Sequence, residues 1–114
     1  MTIRRISPKQ HGFVDYLFAA SVAALPRLAP SSERLKRLLG ASGLAVAALG
    51  ALTKYELGVV KVLPMKGHLA LDYAIGPLFA AAPALLRAED RKTTRALSAL
   101  GVAGTATALL TRPE

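Results

Sequence analysis

Four blocks rich in alanine and leucine alternate with short charged connectors along the chain. The blocks cover residues 11–28, 38–53, 68–86 and 96–111. Inside them the only charged side chains are Asp15, Arg27 and Asp72. Alanine and leucine favour helix, whereas strands are enriched in β-branched and aromatic residues. The pattern therefore predicts an all-α protein with four helices.

The two uncharged blocks predict membrane-spanning helices. A helix crosses the hydrocarbon core of a bilayer with about 20 residues, and residues 38–53 and 96–111 supply 16 each. The basic residues in front of these blocks extend them if their side chains reach back to the headgroups. Neither block carries the polar stripe that a helix of a water-soluble bundle presents to solvent. We therefore expect four short transmembrane helices in an up-down bundle.

Two other interpretations of the apolar blocks stay open. The first is a water-soluble bundle of four Ala/Leu helices, because the blocks are short for spanning helices. The second is a cleaved signal peptide, since Arg4 and Arg5 precede an apolar run with small residues at 19–24. Asp15 interrupts that run, and the same pattern recurs in mid-chain. Spanning helices are favoured over both.

The amino-acid composition excludes several kinds of chemistry. Hydrophobic residues make up 53% of the chain and charged residues only 19%, which is low for a small water-soluble domain. The absence of cysteine excludes disulfides, zinc-thiolate sites and cysteine nucleophiles. The net charge of +8 comes from side chains between the apolar blocks, which fits anionic lipid headgroups better than nucleic acid.

An internal repeat divides the chain into halves. Residues 9–16 and 66–73 share Lys, His, Asp and Tyr at an offset of 57 positions. The second helices of the halves match at an offset of 58 positions, at which Thr53 aligns with Thr111. The sequence thus predicts a single membrane domain, 1–114, made of two parallel helix-hairpin repeats at about 7–54 and 64–112.

These repeated residues resemble the SPW-repeat family of small bacterial four-helix membrane proteins. The residues that carry the resemblance are His11, Asp15, Tyr16, His68, Asp72, Tyr73 and the connector positions 53–58 and 63–66. Where the family has Ser-Pro-Trp, this chain keeps only Pro26 and Pro83, and the Trp is absent from both copies. Over residues 6–112 the resemblance implies four spans, a multi-pass location in the bacterial cytoplasmic (inner) membrane, and no established reaction.

Two His/Asp pairs are the candidate functional residues. His11 and Asp15 are four positions apart, as are His68 and Asp72, so each pair shares a helix face. If the repeats pack about a two-fold axis, the four side chains converge. They would then form structural ion pairs, a site for zinc, iron or manganese, or a proton-handling site. The structural interpretation is favoured, because ionisable groups inside a membrane protein are usually paired.

The central connector and two prolines supply the remaining candidates. Tyr55, Glu56 and Lys66 lie in the connector, and Glu56 is expected to pair with Lys9, Lys61 or Lys66 or to stay solvated. Pro26 and Pro83 are expected to kink or end their helices. We find no catalytic motif and predict no catalytic residue.

The favoured function is a non-enzymatic membrane packing or partner-binding module. Its expected partners are the lipid bilayer and either a second copy of the chain or another membrane protein, without nucleic acid and without a cofactor. The alternative is a metal- or proton-handling membrane protein, in transport or as a redox accessory, that uses the symmetric His/Asp pairs. The orientation stays open, because the 15 basic residues divide seven to eight between the two predicted faces.

Overall fold

The computed structural model describes residues 4–113, which fold into five α-helices and one 3₁₀ turn. In chain order the helices are α1 (Pro8–Ala24), α2 (Glu33–Ala51), α3 (Met65–Ala80), α4 (Ala82–Leu85) and α5 (Arg91–Leu110). The 3₁₀ turn, Leu25–Arg27, follows α1 directly. The described residues form two isolated β-bridges but no β-strand. The prediction of an all-α fold is confirmed.

Helix length and charge contradict the predicted membrane topology. Within residues 4–113, no helix combines the length and the apolar character that crossing a bilayer requires. Helices α1 and α3 have 17 and 16 residues, against about 20 for a spanning helix. Helices α2 and α5 have 19 and 20 residues, but each includes charged side chains in its first turns. The predicted transmembrane helices are therefore wrong, because charged first turns do not extend an apolar span.

The predictions that rested on those spans are wrong for the same reason. They are the multi-pass location in the bacterial cytoplasmic (inner) membrane, the membrane packing or partner-binding module, and the metal- or proton-handling membrane protein. The candidate roles of the His/Asp pairs follow from the spacing of the residues on their helices and do not depend on a membrane. Only the reason given for favouring the structural role, which assumed a membrane, is lost.

Side-chain caps fix where three of the long helices begin. Ser7 caps α1 in a capping box, in which its hydroxyl accepts from the Gln10 amide and the Gln10 side chain accepts from the Ser7 amide. Ser32 caps α2 and Asp90 caps α5, each accepting from the amide three positions further on. The cap on α1 places His11 in the first turn of that helix.

The two prolines that match between the halves lie just beyond the ends of long helices. Pro26 lies in the 3₁₀ turn after α1, and Pro83 lies in α4, after α3 has ended. Proline lacks the amide hydrogen that a helix interior needs. Both positions therefore take the helix-end role rather than the kink, whereas Pro77 lies in the interior of α3.

Helices α1 and α2 pack as one hairpin, and α3 and α5 pack as another. A Cβ atom on Gly43 of α2 would lie 2.6 Å from the Ala19 carbonyl oxygen of α1. Gly101 of α5, the match of Gly43 at an offset of 58, would meet the backbone of Gly76 and Ala80 of α3 in the same way. Each hairpin therefore needs a glycine at the point where its two backbones come closest.

Two buried apolar clusters stabilise the helices. One gathers where α1 ends and α2 begins, and its members are Val22, Leu35, Leu39, Ala82 and Leu97. The other gathers where α3 begins and α5 ends, and its members are Tyr55, Met65, Leu69 and Ala108. Because α1 and α3 begin near the second cluster, the polar residues of their first turns lie beside it.

Two isolated β-bridges hold two threonines beside the helix starts. One bridge joins Thr111 to Ile6, just before α1, and the other joins Thr53 to Leu63, just before α3. Ile6 and Leu63 are 57 positions apart and the threonines 58 apart, as in the sequence repeat. Each threonine is thus fixed close to the first turn of a helix from the other half of the chain.

Candidate metal centre

The four residues of the predicted His/Asp pairs converge at one place between α1 and α3. We call His11, Asp15, His68 and Asp72 the His/Asp cluster. Their ligand atoms all lie within 4.8 Å of one another. His11 and His68 are 1% and 3% exposed, so the imidazoles are withdrawn from solvent. The cluster therefore places four metal-ligand side chains in a buried site formed by both halves of the chain.

Each imidazole faces carboxylates from both helices. The Nε2 atom of His11 lies 3.1 Å from Asp15 Oδ1 and 2.8 Å from Asp72 Oδ2. The Nε2 atom of His68 lies 2.9 Å from Asp15 Oδ2 and 3.3 Å from Asp72 Oδ2. The two rings meet edge to face, with centroids 5.2 Å apart. Contacts between the two helices are thus as short as those within one helix.

Two threonines fix which imidazole nitrogen faces the cluster. The hydroxyl of Thr53 donates to the Leu49 carbonyl, and its oxygen lies 2.7 Å from Nδ1 of His68. Thr111 likewise donates to the Thr107 carbonyl, and its oxygen lies 2.7 Å from Nδ1 of His11. Because each hydroxyl hydrogen is already used, each Nδ1 must be the donor. The Nε2 atoms therefore carry either a proton or a lone pair directed at the carboxylates.

Among residues 4–113, the Nε2 atom of His68 finds no hydrogen-bond partner, although it is buried. It lies 2.9 Å from Asp15 Oδ2, a distance that permits strong charge attraction. Charge attraction rather than a directed hydrogen bond therefore holds this atom. A buried polar atom of this kind needs a further partner, and a water molecule or an ion would supply one.

Two arrangements leave the cluster electrically balanced. With both carboxylates ionised, either two protonated imidazoles or one divalent cation between two neutral imidazoles balances the charge. Neutral imidazoles alone would leave two buried negative charges facing the lone pairs of the ring nitrogens. The cluster is therefore built to hold either two protons or one divalent ion.

Without a metal ion, the carboxylates keep protons on the imidazoles. Burial by itself lowers the pKa of His11 and of His68, but the close contacts of each imidazole with the Asp15 and Asp72 carboxylates outweigh it and raise each pKa to about 9. Burial raises the pKa of Asp15, but the two imidazoles outweigh it and the net shift is downward. A divalent ion that enters the cluster must displace these protons.

Tyr55 makes the cluster asymmetric. Its hydroxyl donates to Asp15 Oδ2 at 3.1 Å, and its ring centroid lies 5.7 Å from that of His68. Burial and the charge of Asp15 raise the pKa of the Tyr55 hydroxyl, so it stays protonated and donates. The position that matches Tyr55 at an offset of 58 is Pro113, which cannot supply such a donor to Asp72. The connector tyrosine is thus buried and belongs to the site.

The other two connector candidates lie outside the cluster. Glu56 pairs with Lys9, with 3.6 Å between Oε2 and Nζ, and both side chains are exposed. Lys9 is one of the three partners expected for it. Lys66 lies exposed in the first turn of α3. Exposed ion pairs contribute little to stability, so these residues have no part in the chemistry of the site.

Thr53 and Thr111 are the functional residues that the sequence interpretation missed. Both match at the offset of 58 that relates the second helices, and this match was the available indication. Their role depends on contacts between the two halves of the chain, because His11 contacts Thr111 and His68 contacts Thr53. Sequence spacing alone does not reveal a contact between positions 11 and 111.

Comparisons with protein-family models, curated proteins and solved structures returned no match for this chain. The resemblance to the SPW-repeat family stays a prediction. The case for a function therefore rests on the chemistry of the His/Asp cluster.

Proposed function

We propose that this protein binds one divalent transition-metal ion at the His/Asp cluster. The observation that carries the proposal is the convergence of four ligand atoms within 4.8 Å while both Nδ1 atoms contact threonine hydroxyls. Metal-bound histidines commonly donate the other ring N–H to a neighbouring acceptor, which fixes the ring and the tautomer. The two threonines do this here before any ion is bound.

The donor set favours zinc, iron or manganese. Imidazole suits zinc and iron, carboxylate suits manganese, and the mixture excludes a soft thiolate type of site. In a tetrahedral zinc site with bonds of about 2.0 Å, ligand atoms lie about 3.3 Å apart. The histidine–aspartate distances of 2.8 to 3.3 Å come within about 0.5 Å of that spacing. The remaining pairs of ligand atoms lie within 4.8 Å, so side-chain shifts of up to about 1.5 Å would admit the ion.

The architecture that goes with this proposal is a pair of hairpin repeats joined by a shared ion. Each half supplies one histidine and one aspartate, and each half orients the histidine of the other through a threonine. Since a bound ion links α1 to α3, metal binding would stabilise the folded protein by mass action.

The test is metal binding by the full-length protein. The chain is stripped with a chelator, dialysed, and supplied in turn with zinc, ferrous iron or manganese before the metal content is measured. Cobalt(II), titrated separately, reports imidazole coordination through its visible absorption. We expect about one ion per chain, since the cluster has ligands for one. His11→Ala/His68→Ala should lose the ion, and the conservative variant His68→Gln should lose it with the fold retained by circular dichroism.

Glu56→Gln is the matched control, because it removes a carboxylate that lies outside the cluster. It should bind metal like the natural protein. If the natural protein takes up none of the three metals in stoichiometric amount, the proposal is wrong. The cluster is then an ion-pair network that serves the packing of α1 against α3.

A further inference from the structure

A small cavity adjoins the His/Asp cluster on its apolar side. Its volume is about 30 Å³, enough for one or two molecules of the size of water. All four long helices contribute to its wall. Beyond the cluster itself, the wall includes Phe18, Val46, Leu49, Gly104 and Thr107.

At two positions of the cavity wall, the second half carries smaller side chains than the first. Val46 and Leu49 of α2 match Gly104 and Thr107 of α5 at an offset of 58. A Cβ atom on Gly104 would lie 3.5 Å from Cε2 of Phe18, in ordinary contact with the ring edge. Gly104 thus leaves space beside Phe18 that a valine would fill.

The wall of the cavity is poor in groups that stabilise charge. Beyond the cluster, none of the described residues that line it is ionisable. The Thr107 hydroxyl donates to the Ala103 carbonyl, so its hydrogen is already used. An anion would lose its hydration there without a compensating donor, whereas an uncharged ligand has no such hydration to lose. A water molecule needs two to four polar partners and finds few on this side.

We infer that this cavity is the binding pocket for a small uncharged ligand of the metal ion, of the size of a diatomic molecule. The inference rests on the proposed metal site. Ferrous iron bound by histidine and carboxylate ligands commonly keeps open coordination positions, and the room here is next to the ligand atoms. The apolar wall selects an uncharged ligand over an anion.

The experiment uses ferrous protein of measured iron content and nitric oxide as the probe. Formation of an iron–nitrosyl adduct is followed by electron paramagnetic resonance and visible absorption during titration. We expect stoichiometric adduct in the natural protein and no comparable binding of azide, an anion of similar width. Gly104→Val and Thr107→Leu restore the residues of the first half and fill the cavity. Each should weaken nitric oxide binding about tenfold while iron content is unchanged.

Gly40→Val is the matched control, because a Cβ atom at Gly40 of α2 would meet none of the described residues within 4 Å. It makes the same substitution in a helix without touching the cavity and should leave nitric oxide binding unchanged. Stoichiometric iron without a nitrosyl adduct would overturn this inference alone, as would full binding by both cavity-filling variants or tighter binding of azide. A protein that takes up zinc or manganese but no iron would overturn it too. Failure to bind any metal would remove the proposed function as well.

Discussion

The Nδ1 atom of His11 lies 2.7 Å from the Oγ1 atom of Thr111, a hundred positions further along the chain. His68 and Thr53 make the same contact at the same distance. Each half of the chain thus orients the histidine of the other half, and neither half supplies the threonine that contacts its own histidine. This exchange leaves both Nε2 atoms facing Asp15 and Asp72, where a metal ion would be bound.

Removing the threonine hydroxyls should weaken metal binding while the four ligands remain in place. In Thr53→Val and Thr111→Val, the side chain keeps its shape, but Nδ1 loses its acceptor and the ring loses its fixed tautomer. We expect metal affinity to fall about 10- to 100-fold for each variant, as is usual for partners of metal-bound histidines. Competition with a chromophoric chelator measures the affinity. Thr94→Val is the control, since that buried hydroxyl donates to the Arg91 carbonyl. Equal affinities in all three would contradict the role of the two threonines.

The metal-free protein should lose stability at alkaline pH. The folded pKa of each histidine is about 9, above the ordinary value of 6.5. Their contribution is fully present below pH 6.5 and is lost as the pH rises through 9. The pKa of Asp15 is lowered, so its contribution is present above its ordinary 3.8 and is lost as the pH falls through its folded value. Stability should therefore be greatest between these ranges.

Urea unfolding in the presence of a chelator measures this pH dependence. The free energy of unfolding should fall by a few kcal/mol between about pH 6 and about pH 9. The double variant His11→Gln/His68→Gln lacks both titrating groups and should show a much flatter profile. A natural protein whose stability is unchanged across this interval would show that the imidazoles are not held protonated by the carboxylates.

Tyr55→Phe should weaken the cluster through Asp15. The substitution removes a hydrogen bond of 3.1 Å to a buried carboxylate, which is worth about 1.5 to 3 kcal/mol. We expect a loss of that order in the unfolding free energy of the metal-free protein and a lower metal affinity. Tyr16→Phe is the matched control, because its hydroxyl donates to the Leu57 carbonyl. It should lose about 1 kcal/mol and retain the metal affinity of the natural protein. If the two variants bind metal alike, Tyr55 does not position Asp15.

Glycine-to-alanine substitutions should have opposite effects in two helices. At Gly101 the new Cβ atom would meet the backbone of α3, so Gly101→Ala should lower the free energy of unfolding by about 1 to 3 kcal/mol. At Gly40 the new Cβ atom would meet nothing in the part of the chain that the structure describes within 4 Å, so Gly40→Ala should raise the free energy of unfolding by about 0.5 to 1 kcal/mol through helix propensity. Urea unfolding distinguishes the two. Equal effects would show that α3 and α5 do not need their close approach.

The sequence by itself determined the helical class and the composition of the candidate site. Long blocks of alanine and leucine with few β-branched residues have a high helix propensity. Spacing of four positions places His11 with Asp15, and His68 with Asp72, on shared helix faces. These properties are local, so the order of residues along the chain is enough to read them.

The tertiary structure decided where the helices begin and what the polar residues contact. Ser32 and Asp90 start α2 and α5 ahead of the apolar blocks, so the charged first turns belong to the helices and no described helix suits a bilayer. Burial of Tyr55, and the crossing that brings Thr111 to His11, join segments far apart in sequence. Such contacts depend on the packing of one hairpin against the other. The spacing of residues along the chain does not show which distant segments come into contact.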